Sequence, residues 1–187
     1  DLLTAGGVKP TVVPADIDET PRPGESATAL VRRLAAAKAA AVRDLATPPG
    51  GEDLAVLGAD TVVELTGTIL GKPSDDEQAR AMLQASSGQT LTVWSGVALA
   101  TAAGTTTRVV GSLLRVIELS DRDIADYIAT GEPFGAAGAF RIQGRGSALI
   151  AAMTGCWTNV VGLPMCETAG LLGRVGILLQ PDDCAVT

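Results

Sequence analysis

Apolar residues recur along the chain with two periods, and the switches between them mark out its elements. From Thr28 to Leu45 an alanine-rich stretch carries the helical period. At about 100° per residue, Leu30, Leu34, Ala41 and Leu45 fall within one narrow arc, and Arg32, Arg33, Arg43 and Asp44 lie opposite. Pro21, Pro23 and Gly24 mark the loop before this helix, and Pro48-Pro49-Gly50-Gly51 a surface loop after it. Lys38 falls inside the apolar arc, where its stem either runs along the core with the ammonium in water or points inward at a pocket. Val56 to Leu65 and Thr68 to Leu70 read as the arms of a hairpin around Gly67, ending at Gly71-Lys72-Pro73. Ser74-Asp-Asp-Glu77 has the spacing of a capping box, so Ser74 is expected to cap a helix through Ala79, Met82 and Leu83 that stops at Gly88. Two long strands follow, Leu91 to Thr101 and Arg108 to Leu119, joined by a turn around Gly104. Ser120-Asp-Arg-Asp123 opens a helix carrying Ile124, Tyr127 and Ile128 that closes at Gly131, and Pro164 sits where a last helix through Leu171-Leu172 would begin. The order predicts a mixed α/β chain.

Two charges sit where this pattern wants none. Asp60 interrupts the apolar run from Leu54 through Val63, and an unpaired carboxylate inside a buried strand costs several kcal/mol or stays protonated. It needs a cation, from Lys72 in the next loop or from a bound metal. A structural ion pair at a strand end and a functional site both satisfy that need. A second anomaly is the glycine-rich stretch from Gly135 to Gly146 around Phe140-Arg-Ile-Gln143, which allows backbone N–H groups to approach a ligand closely and also serves ordinary turns.

Composition narrows the chemistry. The 187 residues suffice for one domain, and no apolar run approaches the ~20 residues that cross a bilayer. A net charge of -7 disfavours a nucleic-acid partner while leaving room for a small anion held by local lysines. Cys156, Cys166 and Cys184 lack metal-ligand spacing and are expected to be reduced thiols of a cytoplasmic protein. The chain has no histidine, which removes the commonest general base and transition-metal ligand. Hydrolysis here would have to run on carboxylates, lysines and a hard cation such as magnesium or manganese, not zinc.

An ordered series of segments resembles the Maf family, the septum-formation-inhibitor-like nucleoside triphosphate pyrophosphatases. The series comprises Asp16-Ile-Asp18-Glu19, Leu34-Ala-Ala-Ala-Lys38-Ala39, Gly58-Ala-Asp60-Thr61-Val-Val, Leu70-Gly-Lys72-Pro73, Ser95-Gly-Val-Ala-Leu, Gly131-Glu-Pro133, Ala137-Gly-Ala-Phe140, Ile142-Gln-Gly144 and Asn159-Val-Val-Gly-Leu-Pro164. The resemblance implies an α/β fold with a mixed, curved sheet flanked by helices, related to the inosine triphosphate pyrophosphatases, and usually a homodimer. It also implies cleavage of a nucleoside triphosphate to monophosphate and pyrophosphate with a divalent cation. On the matching positions, Asp60 would be the general base or the metal-bound activator of water. Lys38 and Lys72 would hold phosphates, Glu19 would partner metal or lysine, and Asp60 with Glu19 would be the metal ligands. Ile142-Gln143-Gly144 resembles the pyrimidine branch acting on dTTP and UTP, with Gln143 and Thr61 as specificity positions; a glutamine offers a base edge both a donor and an acceptor.

The chain also departs from the family pattern. Family members begin with a strand leading into a Ser-x-Ser-Pro-Arg-Arg loop, and Asp1-Leu-Leu resembles the segment after it, so the expectation is a single domain over residues 1–187 without that strand and arginine loop. Gly135-Ala136 stands where most members have Asp-Lys, and Phe140 where a tyrosine is usual. Two readings follow: a pyrophosphatase, or a Maf-like protein that binds nucleotide or regulates cell division without turnover.

Overall fold

Small residues decide how the long helix meets the sheet. The computed structural model describes residues 2–45 and 54–179. After a short first helix, α1 (Leu2–Ala5), comes α2 (Ala27–Leu45), whose first turn is closed by the Ser26 hydroxyl accepting from the Ala29 amide at 3.3 Å. The hairpin arms are β1 (Val56–Leu65) and β2 (Thr68–Leu70), followed by α3 (Asp76–Ser86), β3 (Thr90–Thr101), β4 (Gly104–Val116) and α4 (Asp121–Ile128). Two 3-10 turns at Ala137–Ala139 and Arg145–Leu149 lead to β5 (Ile150–Thr154), α5 (Trp157–Val161) and α6 (Met165–Gly173). The strands form one sheet in the order β2-β1-β3-β4-β5, and every pair between described strands is antiparallel. The α/β class and the helix-flanked sheet agree with the sequence reading.

Strand alternation sorts the side chains between two faces. Even-numbered positions of β1 and β3 face α2, where Ala35 and Ala39 pack on Val56, Ala98 and Ala100. Gly58 and Gly96 make this approach possible, because a methyl group at Gly58 would collide with the Ala35 carbonyl and one at Gly96 with the Val31 carbonyl. Odd-numbered positions face the other way. Val63, Leu65, Leu91 and Val93 join Leu83 of α3 and Ile124 and Tyr127 of α4, and further along Val97 and Leu99 meet Leu171 and Leu172 of α6. Among the described residues no helix is long and apolar enough to cross a membrane.

Several local expectations shift. Leu45 is 78% exposed, because the last turn of α2 runs past the sheet. The cap of α3 is Asp75, not Ser74: its carboxylate accepts from the Gln78 amide at 2.8 Å, and the Ser74 hydroxyl donates to that same carboxylate at 2.8 Å. An ionised acceptor outcompetes a hydroxyl for the free amides of a first turn. Around the β1–β2 turn both Thr66 and Gly67 take positive φ, 46° and 84°, the two-residue geometry that matches strand twist. β4 starts at Gly104 itself, paired with Thr101, and ends at Val116 beside a bulge. Helix α4 keeps its capping box, with Ser120 and Asp123 each accepting from the other's amide, but ends at Ile128, ahead of Gly131. Strand β5 and helix α5 escaped the sequence reading, the first because only one of its five residues is even half-buried and alternation is lost. The loop at Pro48-Pro49-Gly50-Gly51 and Cys184 lie outside the described residues.

The close docking predicts that Gly96→Ala, which adds one methyl against the Val31 backbone, destabilises the fold by about 1–3 kcal/mol. Urea unfolding would read this as a lower midpoint at unchanged slope. An unchanged midpoint would mean that α2 does not sit this close.

Candidate active site

Asp60 lies on the α2 face of β1, opposite Gly96 in β3, and its side chain is only 9% exposed. Its cation is Lys38 of α2, whose Nζ donates to Asp60 Oδ1 at 2.7 Å; Lys72 does not fill this role. The sharper of the two alternatives for Lys38 is therefore realised: the stem leaves the apolar arc inward, toward the strand. The same ammonium meets Glu19 Oε1 at 2.8 Å, so two carboxylates converge on one charge. Burial of the ammonium works against its charge. The hydrogen bonds and charges of Asp60 and Glu19 outweigh that penalty and raise the Lys38 pKa above the ordinary lysine value, so the cluster stays ionised through neutral pH.

Glu19 sits on an irregular segment and is 54% exposed, so something must hold it in place. Arg33 does so. Its guanidinium takes both oxygens of Glu25, at 2.7 Å and 2.7 Å, and donates to the Thr20 carbonyl at 3.1 Å. The Arg22 amide adds a 3.0 Å bond to Glu25. This two-pronged clamp ties the loop through Thr20 to α2 one turn before Lys38. Sequence reasoning placed Arg33 on a solvated face and missed Glu25; a glutamate eight residues before an arginine has no local signature, and only the fold of the loop brings them together.

The other three predicted residues, Thr61, Lys72 and Gln143, line one cleft of about 250 Å³ on the opposite face of β1. Phe140, Val160 and Gly162 supply apolar wall and floor. Lys72 arrives from the loop after β2, and that loop is tied to the glycine-rich segment by the Gly138 amide donating to the Gly71 carbonyl at 2.9 Å. Gly138 combines φ 68° with no room for a Cβ against Val63, so glycine is required there. The segment bearing Gln143 is pinned from both sides. The Glu132 carboxylate accepts from the Arg145 and Gly146 amides at 3.0 and 3.2 Å, and the Tyr127 hydroxyl accepts from the Arg141 amide at 2.9 Å. Burial pushes the Tyr127 phenol up, so it stays neutral in this role. Arg141 also lines the cleft, a cation not singled out from the sequence, and Ala136 occupies the wall.

Asp60 and Thr61 are consecutive, so the ionic cluster and the cleft meet at one point of β1 on opposite faces. Strand β2 pairs only with Val63–Leu65 of β1, and among the described residues no strand pairs with Asp60 or Thr61 on the side away from β3. A ligand lying across that edge reaches both sides. The sequence profile of the family described as Maf-like protein matches residues 1–175. This chain belongs to the Maf-like protein family. The Maf-like chain is 44% identical over 178 residues to the dTTP/UTP pyrophosphatase of Pelotomaculum thermopropionicum, covering 94% of this chain and 91% of that one. It is 48% identical over 166 residues to the dTTP/UTP pyrophosphatase of Shewanella oneidensis, with coverages of 89% and 84%. A third relative of that name, from Myxococcus xanthus, is 46% identical over 179 residues, with coverages of 96% and 88%.

The clamp on the Glu19 loop of this Maf-like protein has a pH signature. The hydrogen bond from Arg33, followed by that from the Arg22 amide, lowers the Glu25 pKa from 4.5 to about 2. A carboxyl depressed in the folded state stabilises above its unfolded value of 4.5, and that contribution is lost as pH falls through about 2. Glu25→Gln is therefore expected to melt below the parent at neutral pH, with the gap closing toward pH ~2. A gap that does not change with pH would reduce Glu25 to a packing residue.

Proposed function

We propose that this chain hydrolyses a nucleoside triphosphate, dTTP or UTP, between its α- and β-phosphates. Water adds at the α-phosphorus, the bridging P–O bond breaks, and nucleoside monophosphate and pyrophosphate leave. The observation that carries the reading is the adjacency of Asp60 and Thr61. It sets a carboxylate–lysine–carboxylate cluster and a base-sized cleft with a lysine at its wall within reach of one extended ligand. The names of the relatives support the same chemistry.

Asp60 acts as base toward the attacking water: it is ionised, oriented by Lys38, and close to the point where the α-phosphate would pass. Lys38 and Lys72 offset phosphate charge from the two sides of the strand, and Glu19 holds the Lys38 ammonium in place until phosphate arrives. A cluster already balanced before binding has its donors aimed without leaving a bare buried charge. Thr61 and Gln143 meet the base.

Asp60 and Glu19 fit a hard divalent cation such as magnesium or manganese, since both offer oxygen alone and converge on one point. Among the described residues no group of three or more acidic, cysteine or histidine side chains is gathered to hold a metal, so water and phosphate oxygens would complete the ligand set. When bound, the cation would supply charge neutralisation at the phosphates.

A reading as a nucleotide-binding protein without turnover draws on one observation. Ala136 lines the cleft where most family members carry a lysine, leaving Lys72 and Arg141 as its cationic lining residues. Pyrophosphate release decides between the two. Asp60→Asn, nearly isosteric, is expected to lower kcat for dTTP and UTP by about 10²–10⁴-fold while the circular dichroism spectrum is retained. Unchanged turnover would remove Asp60 from the chemistry, and nucleotide binding by the parent without pyrophosphate release would favour the second reading.

A further inference from the structure

Thr61 is the point where the cleft touches a buried hydroxyl relay. Its Oγ1 lies 2.6 Å from Ser95 Oγ and 3.3 Å from the Gly162 carbonyl, and Ser95 Oγ lies 3.2 Å from the Asn159 carbonyl. Ser95 is the β3 partner of Thr61 and is fully buried, so no water competes for its hydroxyl. Asn159, also fully buried, is itself fixed: its side-chain amide donates to the Val93 carbonyl at 3.0 Å and to Ser112 Oγ at 2.9 Å.

The two hydroxyls carry two protons, and this count settles their direction. An O···O distance of 2.6 Å requires a proton between the oxygens. If Thr61 provides it, Ser95 donates onward to the Asn159 carbonyl. If Ser95 provides it, the Thr61 proton goes to the Gly162 carbonyl. The third arrangement, with both protons sent to carbonyls, leaves two lone pairs facing each other at 2.6 Å and is excluded. In both permitted arrangements the Thr61 proton is spent inside the protein, and the hydroxyl meets the cleft with a lone pair only.

We propose that Ser95 is a positioning residue that fixes Thr61 as an obligate acceptor, and that this acceptor reads the imide N–H of uracil or thymine. The inference rests on the pyrophosphatase reading and adds to it the atom that is read. Uracil and thymine present a ring N–H flanked by carbonyls, and the Gln143 amide can donate to one of those carbonyls. Cytosine presents an unprotonated ring nitrogen at the same place, so its lone pair would face that of Thr61. Gln143 alone cannot enforce this choice, because an amide can turn over to offer either a donor or an acceptor. Thr61 cannot turn over while Ser95 holds it. Discrimination then comes from leaving a buried polar group unpaired with the wrong base, which is more selective than apolar fit.

The test compares kcat/KM for UTP, CTP and 3-methyl-UTP, which differs from UTP by replacement of the imide hydrogen. The parent is expected to prefer UTP over each of the others by about tenfold or more, the value of one hydrogen bond. Thr61→Val keeps the side-chain shape and removes the acceptor, and should bring all three within about threefold. Ser95→Ala frees the Thr61 hydroxyl to donate into the cleft, and should narrow the UTP to CTP ratio by about threefold or more, mainly through KM. A merely structural Ser95 would lower both nucleotides by one factor and leave the ratio in place, which would overturn its assigned role. Equal use of UTP and 3-methyl-UTP by the parent would overturn the inference and leave the pyrophosphatase reading intact. Release of pyrophosphate from none of the three would overturn both.

Discussion

The 2.7 Å bond between Lys38 and Asp60 depends on how closely α2 lies on the sheet. That closeness is made by absent and minimal side chains: Gly58 and Gly96 in the strands, Ala35 and Ala39 in the helix. An alanine-rich helix forms readily in its own right, and here the same alanines let its axis approach. Larger residues at these positions would lift α2 from the strands and leave Asp60 as a nearly buried carboxylate without its cation. The cluster in turn depends on Arg33 and Glu25, which bring Glu19 to the free side of the ammonium.

Much of this architecture was legible in the chain. The hairpin arms came out at Val56–Leu65 and Thr68–Leu70 because long β-branched alternation broken by Thr66-Gly67 admits few alternatives. The capping box at Ser120 was also readable, being local. What escaped was non-local or poorly patterned. Two nearby cations were candidates for Asp60, and the spacing of residues does not say that Lys38 crosses from a helix while Lys72 belongs to the far face. Ser74 and Asp75 compete for one cap, and the neighbour's carboxylate wins. Glu25 and Arg33 meet only because the loop folds back. Strand β5 is nearly all exposed and carries no alternation to find.

The site residues taken from the family resemblance divide into two groups that the strand joins. Glu19, Lys38 and Asp60 form one ionic cluster, and Thr61, Lys72 and Gln143 line one cleft. A single step along β1 changes faces, so the boundary between charge handling and base reading falls between Asp60 and Thr61. This division assigns the two groups separable effects: changes around Lys38 act on charge and the reacting phosphate, and changes around Thr61 act on the choice of base. Ser95 and Glu132 touch neither, yet each fixes something the cleft needs, the direction of a hydroxyl in one case and the path of the Gln143 segment in the other.

The central claim is that Lys38 and Asp60 form one energetic unit across the helix–sheet contact. A double-mutant cycle on unfolding free energy, with Lys38→Met, Asp60→Asn and the double variant, measures it directly. The account predicts a coupling of about 1–3 kcal/mol, with the double variant more stable than the sum of the single losses implies, because each single change strands the other charge. Additivity within about 0.5 kcal/mol would contradict it and would mean that the two charges answer to other partners.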